Sequence, residues 1–170
     1  MNREPVHASV LIAVVMRDSP TVLLTLRTAH LSSHSGQIAF PGGKQDADDP
    51  DLVTTALREA YEEVGLDSGF VQVIGTLPAY RTGSGFIVTP VVGLVRQGFR
   101  LTPNPFEVDD VFEVPLDFLM NPANHRRHSI IAEGVQRDWL SMPYADALSE
   151  RFIWGATAGM LRNFYRFLRA

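Results

Sequence analysis

Three glutamates, Glu59, Glu62 and Glu63, carry the strongest chemical signal in the sequence. Their spacing of i, i+3 and i+4 predicts that all three carboxylates share one face of a helix, opposite its apolar face. Like charges at this spacing repel one another, so such a face favours a bound cation, and hard oxygen ligands favour Mg²⁺ or Mn²⁺. The alternative is a solvated acidic face, which Arg58 would stabilise through Glu62 at i,i+4.

The residues before this helix favour the metal site over the solvated face. Gly42 and Gly43 allow close approach of the backbone to a ligand. An acidic loop then leads into the helix and contains Asp46, Asp48, Asp49 and Asp51. Divalent ions bridge phosphate oxygens and lower the pKa of a bound water, as hydrolysis of a pyrophosphate bond requires. The segment therefore predicts a metal-dependent hydrolase acting on a phosphate compound.

The elements that must position these residues are strands and two main helices. Short apolar and β-branched runs predict strands at residues 10–16, 22–27, 37–40, 70–77, 86–95 and 111–116, and a hairpin at 128–132 and 135–140. Helical spacing predicts helices over 51–64 and 153–168, with Gly65 ending the first. Pro115 is expected to open a short helix. We interpret residues 1–170 as a single mixed α/β domain.

The sequence also predicts which apolar side chains are buried. The apolar face of the first helix is expected to comprise Val53, Leu57, Ala60, Tyr61 and Val64. Phe86 and Trp154 are expected in the core rather than stacked on a nucleobase.

Composition limits the classes of protein and partner that remain. The chain of 170 residues has no cysteine, which excludes disulfides and cysteine-based zinc sites and fits a reducing compartment. Its net charge of −4 argues against nucleic acid as a partner, since phosphate backbones are bound by clustered Lys and Arg. No apolar run approaches the roughly 20 residues of a membrane span. We therefore expect a cytoplasmic protein with no membrane partner; monomer and homodimer both remain open.

The segment from Gly42 to Leu66 resembles the Nudix box, G-x5-E-x7-R-E-U-x-E-E-x-G-U, where U is a bulky apolar residue. The matching residues are Gly43, Arg58, Glu59, Glu62, Glu63, Gly65 and Leu66, with Ala60 at a U position. The loop departs from the pattern, because Asp49 replaces the first Glu and the distance to Arg58 is one residue longer. Asp48 or Asp49 is expected to fill that role, which with Arg58 is mainly a structural brace in the family.

The resemblance implies a fold, a metal site and a class of substrate. The fold is the Nudix α/β/α sandwich, an α/β class with a mixed β-sheet between helices. Glu59 and Glu63 would be the main ligands of Mg²⁺ or Mn²⁺, and Glu62 a further ligand or a group that positions the water. Glu62 or Glu107 would be the catalytic general base, although Glu107 could instead cap a helix or strand. The substrate would be a small nucleotide-like molecule.

A second segment, LLTLRTAHLSSHSGQIAFPGG from Leu23 to Gly43, is similar to the signature of the coenzyme A pyrophosphatase branch of the family. The matching residues are Leu23, Leu24, Thr25, Arg27, Gly36, Phe40, Pro41, Gly42 and Gly43. Ser32 departs from it by replacing an arginine. Segments 84–93 and 152–163 also resemble that branch. Cleavage of coenzyme A to 3′,5′-ADP and 4′-phosphopantetheine is therefore expected; the alternatives are hydrolysis of ADP-ribose or NADH, and a nucleotide sensor without catalysis.

The candidate substrate-binding residues are Arg27, His34, Gly42, Gly43 and Arg81. Arg27 ends a predicted strand and would bind phosphate, although it could be a surface charge. His34 lies in a polar loop and could instead hydrogen-bond within that loop. Arg81 belongs to a glycine-rich turn, where a solvated arginine is an equally good interpretation.

Overall fold

A computed structural model describes residues 3–29 and 36–170 of the chain. Within these ranges one large sheet contains eight strands, β1 (Val6–Val15), β2 (Thr21–Arg27), β3 (Ile38–Ala39), β4 (Gly42–Lys44), β5 (Val71–Thr76), β6 (Tyr80–Arg81), β7 (Phe86–Val95) and β8 (Val108–Pro115). β1 and β7 run parallel over ten residue pairs, whereas the other pairings are antiparallel. The sheet is therefore mixed, as predicted.

A second, smaller sheet in the described part of the chain comprises β9 (Arg126–Ala132), β10 (Val135–Ala145) and β11 (Glu150–Trp154). The predicted hairpin is confirmed as β9 and β10. Glu133 and Gly134 at its turn have φ angles of 52° and 76°, and two positive φ values match the turn that suits the twist of a hairpin. Arg151 of β11 joins the two sheets, because its Nη2 lies 2.6 Å from Asp110 Oδ2 on β8.

The α-helices among the described residues are α1 (Leu52–Val64), α2 (Leu116–Leu119) and α3 (Gly155–Arg169). Asp51 caps α1 by accepting a hydrogen bond from Thr54 N at 2.7 Å, and Gly65 ends it in the left-handed conformation. The prediction that the last helix begins at Ile153 was wrong, since Ile153 lies in β11 and the chain turns into α3 at Gly155 with φ 65°. No helix among the described residues combines the length and apolar character that crossing a bilayer needs.

The large sheet separates two hydrophobic cores, one on each face. Leu11, Ala13 and Val15 of β1 pack in the core that includes Ala60 and Val64 of α1. Ile12 and Val14 alternate to the other face, where the core includes residues of α3, namely Ala158, Met160, Leu161 and Phe164. Helices therefore cover both faces, which is the predicted α/β/α sandwich.

Tyr61 does not belong to the buried face of α1, so the predicted apolar face was wrong at this position. The side chain is 63% exposed, whereas Thr55, Ala56, Ala60 and Glu63 are buried. Because the stripe that faces the sheet runs through residues 56, 60 and 63, Tyr61 points away from it. Glu63, one of the predicted metal ligands, is buried in this stripe.

Candidate metal centre

Glu59 and Glu63 of α1 come together beside β4, whereas Glu62 does not. The side chains of Glu63 and Glu59 are 3% and 15% exposed, but that of Glu62 is 53% exposed and lies 3.1 Å from Arg58 Nη1. The expectation that the three carboxylates lie opposite the apolar face was wrong for Glu63, which is buried against the sheet. Within the described residues, no three His, Cys, Asp or Glu side chains form a metal cage on their own.

The backbone of β4 contacts both buried carboxylates. Gly42 N donates a hydrogen bond to Glu63 Oε2 at 3.4 Å. A Cβ atom added at Gly43 would lie 2.6 Å from Glu59 Cδ, and one added at Gly42 would meet the backbone of Ser9 and Val10. The two glycines therefore allow close packing against the Glu59 carboxylate and against β1, whereas their predicted approach to a ligand stays a prediction.

Burial makes the negative charge of this pair costly. It raises the pKa of Glu63 to about 8; the nearby negative charges of Glu59 and Glu107 act in the same direction, while Arg27 and the Gly42 amide oppose them. Burial also raises the pKa of Glu59, against the opposing charge of Arg58. Two desolvated carboxylates with too little positive charge fit a divalent cation. Mg²⁺ is commonly held by one or two carboxylates, with substrate phosphates completing its coordination.

Arg27 lies against the acid pair and is not a free surface charge. Its Nη1 is 3.6 Å from Glu63 Oε1, and its side chain is 20% exposed. The Arg27 Nε atom is buried and has no hydrogen-bond partner among the described residues. The guanidinium therefore offsets the Glu63 carboxylate.

Asp49, rather than Asp48, occupies the position of the first acid of the box. Its carboxylate accepts hydrogen bonds from Arg58 Nε at 3.0 Å and Arg58 Nη2 at 2.8 Å, and from Thr55 Oγ1 at 2.9 Å. Arg58 Nη2 also donates to the carbonyl of Lys44, and Arg58 Nη1 to Glu59 Oε1. The guanidinium of Arg58 thus joins the acidic loop, β4 and one carboxylate of the pair.

The remaining candidate residues are Glu107, Arg81 and His34. Glu107 accepts a hydrogen bond from Asn104 Nδ2 at 3.2 Å, and its charge raises the pKa of both Glu59 and Glu63, which places it on the side of the acid pair. Arg81 lies on β6 and lines a cavity whose lining does not include Arg27, Gly42 or Gly43. His34 and Ser32 lie outside the described residues.

Two neighbouring cavities share part of their lining, and one of them borders the glycines beside the acid pair. The smaller, of 210 Å³, is bordered by Arg27, Gly42 and Gly43 and by apolar side chains that include Phe86 and Met160. The larger, of 790 Å³, lies between the turn after β6, the β9–β10 hairpin and α3. Both are lined by Gln37, Thr82, Trp154 and Ala156.

Two features of the cavities differ from the sequence-based expectations. Trp154 is 40% exposed, so its predicted place in the core was wrong, whereas Phe86 is partly buried against the core. Sequence reasoning also missed three basic residues that line the larger cavity with Arg81, namely Arg127, Arg162 and Arg166. Arg162 and Arg166 lie one turn apart on α3, but Arg81 and Arg127 are distant in sequence, and the tertiary fold brings them to the same cavity.

Residues 5–133 match the family model described as the NUDIX domain. A relative from Yersinia pestis (strain Pestoides F), described as "Uncharacterized Nudix hydrolase NudL", is 42% identical over 157 residues, which cover 92% of this chain and 77% of that relative.

Solved structures with a similar fold include the Ap4A hydrolase of C. elegans and the NUDIX domain of Shewanella oneidensis NrtR complexed with ADP ribose. The first has a TM-score of 0.56 and 16% identity, covering 96% of this chain and 98% of that one. The second has a TM-score of 0.52 and 21% identity, covering 68% and 75%. At these identities the likeness shows the fold alone.

Proposed function

The chain belongs to the NUDIX domain family, whose hydrolases act on pyrophosphate bonds, and from this premise we propose that it cleaves the pyrophosphate bond of coenzyme A or its derivatives. Water would attack one phosphorus of the P–O–P linkage, and the products would be 3′,5′-ADP and 4′-phosphopantetheine. Divalent cations are general in this family, and we propose Mg²⁺ or Mn²⁺ for this chain.

The observation that carries the choice of substrate is the position of segment 23–43. This segment holds the resemblance to coenzyme A pyrophosphatases, and it also supplies the groups that touch the acid pair: Arg27 beside Glu63, Gly42 hydrogen-bonded to Glu63, and Gly43 against Glu59. The segment that carries the resemblance to coenzyme A pyrophosphatases therefore contacts both proposed metal ligands, which supports the proposed substrate. Residues at such a place can bind the reacting phosphates directly.

In this proposal Glu59 and Glu63 hold the cation, which when bound would neutralise phosphate charge and lower the pKa of the attacking water. Arg58 keeps the Glu59 carboxylate in place through its hydrogen bond of 3.1 Å. Arg27 and the amides of Gly42 and Gly43 would contact the phosphates, and His34 and Arg81 complete the proposed binding set. Arg27 also offsets the charge of Glu63, as its distance of 3.6 Å indicates.

The attacking water must lose a proton. We propose that Glu107, rather than Glu62, is the general base that accepts it. Glu62 is half exposed and paired with Arg58. The negative charge of Glu107 raises the pKa of both carboxyl groups of the acid pair, and within the described residues its side chain accepts a hydrogen bond from Asn104. Glu62 then helps to position Arg58, or serves as a further ligand when the cation is bound.

A second candidate is hydrolysis of another nucleoside diphosphate derivative, such as ADP-ribose or NADH. Ser32 favours it, because this residue replaces an arginine of the coenzyme A signature. A sensor that binds a nucleotide without cleaving it is less well supported, since Glu59, Glu62 and Glu63 are all present.

The test is steady-state kinetics on coenzyme A, its 3′-dephospho form, ADP-ribose and NADH, with the products resolved by mass. One charge-assisted contact to the 3′-phosphate contributes about 1.5–3 kcal/mol, or roughly 10- to 150-fold. We therefore expect coenzyme A to be cleaved at least about tenfold better than the dephospho form. Excess chelator should abolish turnover, and Mg²⁺ or Mn²⁺ should restore it. The coenzyme A assignment is wrong if ADP-ribose or NADH gives the highest kcat/KM.

A further inference from the structure

The larger cavity is built by three separate parts of the fold. Residues 80–84 form one wall, residues of β9 and β10 a second, and α3 the third. Its volume of 790 Å³ lies within the range of pockets that bind small molecules, about 300–1,000 Å³. The cavity can therefore hold a substantial part of a nucleotide-sized substrate.

The charge of this cavity is opposite to that of the whole chain. Arg81, Arg127, Arg162 and Arg166 line it, against the single acid Asp138 among its described lining residues. The complete chain has a net charge of −4. The dipole of α3 accounts for basic residues near its end, but it does not explain why Arg81 of β6 and Arg127 of β9 converge on the same cavity.

Some of these guanidinium groups have N–H donors that make no hydrogen bond with a described residue. The side chains of Arg81 and Arg166 make no hydrogen bond or ion pair with a described residue. Arg162 donates to His125 Nδ1 at 2.9 Å and lies over the ring of Tyr165, which fixes its position. Planar guanidinium groups match the oxygens of a phosphate, so a cavity with this lining favours a phosphate monoester.

The larger cavity adjoins the smaller cavity that lies beside the acid pair. The smaller cavity borders Gly42 and Gly43, and it shares four lining residues with the larger one. Trp154 is among the four; it is 40% exposed and offers a ring face at the junction. The stacked rings of His128 and Trp139, with centroids 5.2 Å apart, form part of the far wall. Aromatic faces beside arginines are suited to a nucleobase and its phosphates.

We propose that the larger cavity binds the nucleoside half of the substrate and that Arg127 and Arg166, with Arg81 and Arg162, hold a phosphate monoester on that half. The proposal deepens and rests on the proposed function, in which this group is the 3′-phosphate of coenzyme A. Residues of the larger cavity would then discriminate coenzyme A from its dephospho form. Arg27 lies against Glu63, so selectivity for the 3′-phosphate belongs to the arginines of the cavity.

The kinetic test compares coenzyme A with 3′-dephospho-coenzyme A in the wild type, in Arg127→Gln, in Arg166→Gln and in the double variant. Both arginines are exposed, so the variants should fold, which melting curves will verify. We expect the double variant to lose about tenfold in kcat/KM for coenzyme A and less than about twofold for the dephospho form. Arg137→Gln, in the same hairpin but outside the cavity lining, is the matched control and should change neither.

A binding test without turnover separates this inference from the proposed function. In metal-free buffer, calorimetry should show that 3′,5′-ADP binds the wild type more tightly than 5′-AMP does, and that the double variant loses this preference. If coenzyme A is not cleaved but the preference is present and depends on the arginines, the proposed function fails and the phosphate site stands. If the wild type shows no preference, or the double variant keeps it, the site is refuted even when coenzyme A is the substrate.

Discussion

The carboxyl group of Glu59 and the backbone of Gly43 leave no room for a further atom between them. A Cβ at position 43 would come within 2.6 Å of Glu59 Cδ and 2.7 Å of Glu59 Oε1. The atoms in the way belong to the end of the flexible Glu59 side chain. The fold can therefore accommodate a Cβ at position 43, but the Glu59 carboxylate would have to move. The glycine is therefore tied to the position of one proposed metal ligand.

We predict that Gly43→Ala lowers kcat by about 10- to 100-fold, as loss of a partner that orients a metal ligand typically does, with little change in Tm. Glu59→Gln should lower kcat at least about 100-fold. Because both changes act through one carboxylate, adding Gly43→Ala to Glu59→Gln should cost less than about twofold more. Kinetics at saturating Mn²⁺ on the two single variants and the double variant provide the measurement. Fully multiplicative losses would show that Gly43 acts independently of Glu59.

Hydrogen bonds from Arg58 join the acidic loop to α1. Arg58 reaches from α1 to Asp49 in the loop and to the carbonyl of Lys44 at the end of β4. These hydrogen bonds hold the pKa of the Asp49 carboxyl well below its usual range. The loop, one residue longer than the family pattern, thus keeps its contact with the helix through an aspartate in place of a glutamate.

Asp49→Asn should lower the Tm at neutral pH and also lower kcat, since Arg58 would no longer be held in position to orient Glu59. An acid with a depressed folded pKa contributes stability above its unfolded pKa and loses that contribution as pH falls. The difference in Tm between wild type and variant should therefore be complete above about pH 5 and should shrink toward pH 2. Thermal melts across this range will check it. Asp48→Asn is the matched control, and an equal effect there would contradict the assignment of Asp49.

Elements with a strong local signal were predictable from the sequence. The strand at 86–95 and the hairpin around Glu133 and Gly134 agree with the structure, because a short apolar run and the turn residues act locally. The two helices were also found, but β11 was missed. Ile153 fits the helical spacing of the following residues, so the pattern extends without a break into a strand that pairs with β10.

The candidate site was predictable only where its residues are close in sequence. The box placed Glu59 and Glu63 together, since both lie one turn apart on α1. The outward turn of Glu62 toward Arg58 and the burial of Glu63 depend on how the helix packs on the sheet. The arginine cavity combines β6, β9 and α3 and has no signal in any one segment. Non-local packing decides these features.

The buried acid pair lowers the stability of the folded protein when its carboxyl groups are ionised and no cation is bound. Glu63 is 3% exposed, at the border between α1 and the sheet. Its neighbours include one cation, Arg27, and two further carboxylates, Glu59 and Glu107. Ionising Glu63 without a bound cation therefore costs free energy of folding, and the cost applies to the stability of the whole domain.

The pH dependence of the free energy of unfolding should reveal this cost. The pKa of Glu63 rises from its usual 4.5 to about 8 in the folded protein, so between these values the folded state binds more protons than the unfolded one. Stability must then fall as pH rises through this window. In chelator, we expect the Tm of the wild type to decline between about pH 5.5 and 8 by at least roughly 3 °C, since 1 kcal/mol corresponds to about 2–4 °C for a domain of this size.

Glu63→Gln should flatten that decline, because the glutamine carries no titrating proton, whereas the exposed Glu62→Gln should retain the slope. Mn²⁺ at pH 8 should raise the Tm of the wild type in proportion to the logarithm of its concentration above Kd, and should raise that of Glu63→Gln much less. Scanning calorimetry of the three proteins with and without Mn²⁺ measures both effects. Parallel pH curves for the wild type and Glu63→Gln would mean that Glu63 does not carry the buried charge. An equal Mn²⁺ shift in both proteins would mean that the cation binds elsewhere.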